Sequence, residues 1–211
     1  MPFGKAMLEF MCRSRGLCQH RHPCMGNEQW TVRIEMSKAR WPGWTAERTL
    51  VLPVPVSAWA PPFNAVTLDG VTFQPKPELH VTLAGTALGN ELHAVFEKQY
   101  LDDRARVAFA ALDWSFLRAG RFLMLRKQAR IDGEPKEFCS IIERLQMPAM
   151  HRFHIGLGRM LGRELAVPPP HATLFTAGRD KGIGVANARQ LRAYAPREVS
   201  RKALSLAKTE G

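Results

Sequence analysis

Long apolar runs are missing from this chain of 211 residues. The longest, Val107 to Leu112, has six residues, whereas a membrane-spanning helix needs about 20. The early apolar stretch Ala6 to Met11 is short and broken by Glu9, so an ordinary secretory signal is not expected. Cysteine is scarce as well, with four in all, and without a secretory segment a disulfide framework is not expected. Together these absences predict a cytoplasmic protein with no membrane partner. Carboxylates are also in deficit, because nineteen Asp and Glu face thirty Lys and Arg, a formal charge of +11. What is present in quantity is apolar surface. At 45 % hydrophobic residues the chain can bury a core, which excludes wholesale disorder. Its length suits one domain or two small lobes, and a monomer is expected.

The basic charge sits at the ends. Residues 1–48 hold eight Lys/Arg against four Asp/Glu, and residues 179–211 hold eight against three. The intervening 130 residues are nearly balanced, at fourteen against twelve. Such a balance favours polyanionic partners such as RNA, although solvated basic tails would read the same way. Cys12, Cys18 and Cys24 fall near His20 and His22. Zinc sites usually pair their ligands two to four residues apart, and these cysteines are spaced by six. Residues 1–48 show little periodicity and are expected to be a disordered leader, with Met36 as a possible internal start. The expected domain spans 49–186, followed by a basic tail over 187–211 that is mobile beyond about Ala195.

Within the body, Leu50 to Phe63 carries Pro53, Pro55, Pro61 and Pro62, which predicts an extended lead-in or an edge strand. Asn64 to Phe73 reads as a hairpin turning at Asp69-Gly70. Leu79 to Ala84 is a strand with Leu79, Val81 and Leu83 on one face and His80 and Thr82 on the other. Leu88 to Leu101 has helical spacing, and Asp102-Asp103 can cap a second helix reaching about Leu112. Arg121 to Gln128 and Glu137 to Leu145 read as strands around an Asp132-Gly133 turn. Met147 to Leu165 is helix-like, closed by Pro168 to Pro170, and His171 to Ala177 is a further strand. Strands and helices alternate in two similar sets, which predicts an α+β fold of two related halves.

One short pattern occurs twice: His80-Val81-Thr82-Leu83 and His171-Ala172-Thr173-Leu174. Each copy follows a proline-rich approach and precedes a small-residue-then-glycine stop. In a strand, each His and its Thr share a face about 7 Å apart. If the two strands lie together, two imidazoles and two hydroxyls converge. That set suits phosphodiester cleavage. One neutral imidazole takes a proton from the attacking oxygen and one protonated imidazole gives a proton to the leaving oxygen. The Thr hydroxyls donate to the phosphate oxygens where charge develops. An unperturbed imidazole pKa of about 6.5 lets both forms coexist near neutrality, so the chemistry calls for no metal and no cofactor.

The paired His-x-Thr-Leu strands, about 90 residues apart, together with Phe73 to His80 before the first copy, resemble the 2H phosphoesterase superfamily. That superfamily includes the LigT-like RNA 2′,3′-cyclic phosphodiesterases, also called 2′-5′ RNA ligases. The resemblance covers roughly residues 63–186. It implies a bilobal fold with pseudo-twofold symmetry, two antiparallel sheets flanking a central cleft, and helices outside. It implies that His80 and His171 are the catalytic pair and that Thr82 and Thr173 bind the phosphate. The partner it implies is RNA or a nucleotide with a cyclic phosphate. Alternatives are action on 2′-5′ linkages, cyclic ADP-ribose phosphate or oligonucleotide 3′ ends, or an RNA-binding module without turnover.

Other residues have a bland reading beside a functional one. Lys181-Gly182-Ile183-Gly184 could bring backbone amides to a phosphate or be a plain turn. Arg126, Lys127 and Arg130 could line a nucleotide approach, with a solvated edge as the default. Phe175 and Trp114 could stack a base, with a core role favoured. His93 is expected to be a partly exposed helix residue. His151 and His154, three apart on a helix, are expected to pack or face solvent rather than bind metal.

Overall fold

The computed structural model describes residues 32–59, 64–194 and 196–205. The cysteines and histidines of the leader, together with Pro61, Pro62, Phe63, Ala195 and the last six residues, lie outside the described residues. Among the described residues, helices and strands are mixed around a large antiparallel sheet of nine strands, an α+β arrangement.

The strands are β1 (Val32–Ile34), β2 (Leu50–Val54), β3 (Val66–Leu68), β4 (Val71–Pro75), β5 (Leu79–Ala84), β6 (Phe116–Ile131), β7 (Glu134–Gln146), β8 (His171–Ala177) and β9 (Arg197–Val199). The helices are α1 (Thr86–Val95), α2 (Lys98–Ala110), α3 (Pro148–Leu161), α4 (Ala188–Ala193) and the short α5 (Arg201–Ser205). One path through the sheet runs β1-β6-β7-β8-β4-β3, with β5 also on β8, β2 on β5 and β9 on β6. β8 is therefore the joint. Its one edge pairs with β7, and its other edge is shared between β5 near His171 and β4 near Thr176. All strands described thus join one hydrogen-bonded network, where two sheets flanking a cleft had been expected.

Alternation of side chains explains the layers. Phe122, Met124, Val81, Ala172 and Ile141 face the main core, where they meet Leu92, Leu101, Phe109, Phe153 and Leu157 of α1, α2 and α3. Their neighbours Leu123, Leu125 and Ile142 face the other way and form a smaller core with Ile183, Val185 and Leu191. The segment after β8 therefore lies on the opposite face from the three long helices.

The turns at Asp69-Gly70 and Asp132-Gly133 form as expected, each with positive φ at both residues. Other boundaries move. The helical stretch breaks between Val95 and Lys98, so Asp102 and Asp103 sit inside α2 rather than capping it. Asp102 instead accepts a hydrogen bond from Trp41 Nε1 at 3.2 Å, and Asp103 pairs with Arg106 at 2.7 Å. α3 ends at Gly162, whose φ of +66° opens the left-handed cap that glycine adopts cheaply, well before the prolines. β2 pairs with β5, and among the described residues only an isolated bridge from Trp44 to Leu50 meets its other edge, so Pro53 is tolerated there.

Structure also extends past both expected ends of the domain. β1 pairs with β6, and Trp41 packs edge-on against Phe109 at 5.4 Å, so order begins before residue 49. β9 pairs with β6 through Phe122↔Val199, so the segment beyond Ala195 adds a strand where mobility had been expected. Among the described residues, no helix is long and apolar enough to cross a membrane.

Candidate active site

The two motifs meet. β5 and β8 are antiparallel neighbours with Val81 opposite Ala172. One step along each strand from that pair sets His80 beside Thr173 and Thr82 beside His171. Val81 and Ala172 point into the main core, both fully buried. The two histidines and two threonines therefore share the other face. Opposed residues in such a ladder lie about 5 Å apart and diagonal ones about 7–8 Å. The four side chains thus form a compact quadrilateral with local two-fold symmetry about the Val81/Ala172 pair.

The neighbouring strands complete two rows across this face. Pro53 of β2 flanks His80, and Ile142 of β7 flanks Thr173. Val51 flanks Thr82 on the outer side, and Arg144 of β7 stands opposite His171. A bulge between Ile141 and Ile142 lets Leu174 slip out of step, so this register holds only for the first half of β8.

His171 is buried, and its Nδ1 lies 2.8 Å from the Pro169 carbonyl oxygen. A carbonyl only accepts, so Nδ1 carries the proton and, in the neutral ring, Nε2 presents its lone pair. Burial pushes the His171 pKa below the ordinary imidazole value. The bond to Pro169 opposes this, and the charges of Arg144 and His80 add to the lowering. His80 is also lowered, by burial first and Lys76 second, with Glu78 opposing. Among the described residues, neither Thr82 nor Thr173 makes a side-chain hydrogen bond, so both hydroxyls are available to a ligand.

The loop after β8 closes over this floor. A Cβ added at Gly182 would lie 2.8 Å from Thr173 Oγ1 and 3.0 Å from its Cγ2, so the backbone there approaches as only glycine allows. Ile183 N donates to Ser140 Oγ at 3.0 Å, Arg179 Nη2 donates to Gly182 O at 2.9 Å, and Lys76 Nζ donates to Asp180 O at 2.8 Å. The Lys181-Gly182-Ile183-Gly184 stretch is therefore the roof beside Thr173 rather than a remote turn.

Behind the site, Glu143 is opposite Ala172 and fully buried. It receives bonds from Arg118 Nε at 3.0 Å, Gly120 N at 3.2 Å and Trp59 Nε1. Arg118 also stacks over the Trp59 ring at 4.7 Å and donates to the Ala58 carbonyl. This knot ties the segment around Trp59 to the sheet below β8.

The remaining candidates lie elsewhere. Trp114 is buried and stacked on Phe109, and Phe175 is buried in the main core, so neither offers a ring to a base. His93 is partly exposed and packs edge-on against Trp44. Arg126 pairs with Glu137 and Asp69. His154 is buried and donates from Nδ1 to Met150 O, while His151 is exposed; both line a groove of about 710 Å³ on α3, on the helical side of the sheet. Cys139 is buried, which pushes its thiol pKa up. Among the described residues, no group of three or more His, Cys, Asp or Glu is placed to hold a metal ion.

Sequence reasoning missed Arg144. Its only signal is alternation against Glu143 within the β7 strand, and that does not identify the residue across the ladder. Comparisons with protein-family models, with curated proteins and with solved structures return no match for this chain.

Proposed function

We propose that the chain is a phosphodiesterase of the 2H type that opens 2′,3′-cyclic phosphates on RNA ends or nucleotides without a metal. The observation that carries this reading is the Val81↔Ala172 register, which brings two imidazoles and two unbonded hydroxyls onto one face of adjacent strands. In the reaction one imidazole takes a proton from water, whose oxygen attacks phosphorus. The bond to one ribose oxygen breaks, and that oxygen takes the proton of the other imidazole. The product is a 2′- or 3′-monophosphate. Thr82 and Thr173 donate to the non-bridging oxygens as charge builds on them. On this reading the strands on either side of the β5–β8 junction act as two lobes around a cleft.

Both imidazole pKa values are lowered in the free protein. The acid therefore gains its proton most readily below the ordinary imidazole range, and the anionic substrate favours that charged form when it binds. A bell-shaped kcat/KM profile with its maximum below about pH 6.5 is expected, reporting the pair rather than either residue.

The test is turnover of 2′,3′-cyclic nucleotides and of RNA with a cyclic phosphate end, with chelator present. Oligonucleotides with 2′-5′ linkages and cyclic ADP-ribose phosphate complete the panel. Hydrolysis of the cyclic phosphates that disappears in His80→Ala and His171→Ala supports the proposal. Near-full activity in either variant, or no activity on any member of the panel, would sink it.

A further inference from the structure

We infer that Arg144 is an anion-binding residue of this site, holding a non-bridging phosphate oxygen on the His171 side. The inference rests on the proposed function and adds the ligand's charge partner, which neither motif supplies. Two imidazoles and two hydroxyls bring no permanent charge. Arg144 stands opposite His171 in the β7–β8 register and so shares the face of the four motif residues. Its charge adds to the lowering of the His171 pKa that burial begins.

Arg144 differs from the other arginines of the sheet, which are either paired or, like Arg130 at the end of β6, exposed. Arg118 is paired with Glu143, Arg121 with Glu198, Arg126 with Glu137 and Arg197 with Asp69. Arg144 has no carboxylate within ion-pair distance among the described residues, and its Nε is buried with no hydrogen-bond partner. Arg179 also has a buried, unpartnered Nε, but its guanidinium is spent on the Gly182 carbonyl and the Phe138 ring. Burial and the nearby charge of Arg121 both disfavour the Arg144 cation. A half-buried guanidinium with no carboxylate in contact is costly unless a ligand provides the counter-charge. A phosphate oxygen pair does so, and the planar fork matches it in two parallel bonds. Arg144 stands opposite His171 and so draws the ligand's charge toward β7.

The experiment is calorimetric titration with adenosine 2′-monophosphate of the wild-type chain, Arg144→Gln and Arg144→Lys. It is accompanied by thermal melts and NMR titration of the His171 ring. Arg144→Gln is expected to lose affinity by about ten- to a hundredfold, and Arg144→Lys to recover part of it as a point charge. The melting temperature of Arg144→Gln should stay level or rise, because a half-buried charge without a counter-ion has gone. Its His171 midpoint should move up as the neighbouring cation disappears. Equal affinity in wild type and Arg144→Gln would overturn the inference while leaving the phosphodiesterase reading intact. An Arg144→Gln protein that melts well below wild type would mark the guanidinium as structural and overturn it too. A wild-type chain that neither binds the nucleotide nor turns over any cyclic phosphate would remove the reading itself, and the inference with it.

Discussion

His80 and His171 open the same four-residue word, yet they stand in different surroundings. His171 lies on β8, between β5 and β7, with its ring buried, its Nδ1 committed to Pro169 and Arg144 opposite. His80 lies on β5, whose other neighbour is the edge strand β2. Its ring is partly exposed and makes no hydrogen bond among the described residues, and Lys76 and Glu78 are the charges that act on it. The motif fixes which functional groups are present. The adjoining strands fix the tautomer, the local charge and the access of water. Under the proposed function, these surroundings let two copies of one word take opposite parts in a proton transfer.

The difference can be attacked from behind, from within and from above. The largest expected effect is at Glu143, beneath β8 and without a counterpart beneath β5. Glu143→Ala strands the Arg118 guanidinium and leaves Trp59 Nε1 and Gly120 N without their acceptor. Chemical denaturation should show a loss of about 3–5 kcal/mol, the usual cost of breaking a buried pair by removing one partner. Replacing the histidines comes next. His80→Ala and His171→Ala should each lower kcat on a cyclic phosphate by about a hundredfold or more. A large inequality between them would show that only one takes part in the rate-limiting proton transfer.

A smaller effect is expected at the roof, which covers Thr173 and not Thr82. Gly182→Val pushes against Thr173 Oγ1 and should cost about tenfold in kcat/KM while the melting temperature changes little, since modest misplacement of a binding group is enough. Unchanged kinetics would mean the loop yields freely. The smallest effect is on stability against pH. Unfolded imidazoles take up protons near pH 6.5, whereas folded His80 and His171 resist until the pH is lower. Between those points the unfolded chain binds more protons, so stability is complete above about pH 6.5 and drains away as the pH falls through the folded pKa values. Melts at pH 5 and pH 7 should differ in that direction, and His171→Gln should flatten the slope more than His80→Gln.

Some of this could be read from residues alone. The motif strands announced themselves through Leu79, Val81 and Leu83 alternating with His80 and Thr82, and both Asp-Gly turns stand where they were expected. Which residue faces which could not be read, because bulges between Arg118 and Phe122 and between Ile141 and Ile142 reset the count. Arg144 was invisible for that reason. Residues 32–49 carry no periodicity to mark them in the sequence, and they are held instead by isolated anchors such as Trp41 on Phe109 and Asp102. The tail misled in the same way: a three-residue strand, Arg197–Val199, has too short a pattern to stand out from a basic sequence. The joining of all the strands at β8 depends on pairings distant in the chain, which no local pattern encodes.

That joint has a consequence for synthesis on the ribosome. β8 is made after β5, β6, β7 and all three long helices, and it is the strand that pairs with β4, β5 and β7 together. Until Ala177 has left the exit tunnel, the nascent chain carries two open strand edges and an unsealed apolar layer, features that invite pairing with other chains. Arrest of translation anywhere between Gln146 and His171 would leave a product without the β5–β8 pairing and with strand edges open to association, so one strand both brings the two motifs together and closes the sheet.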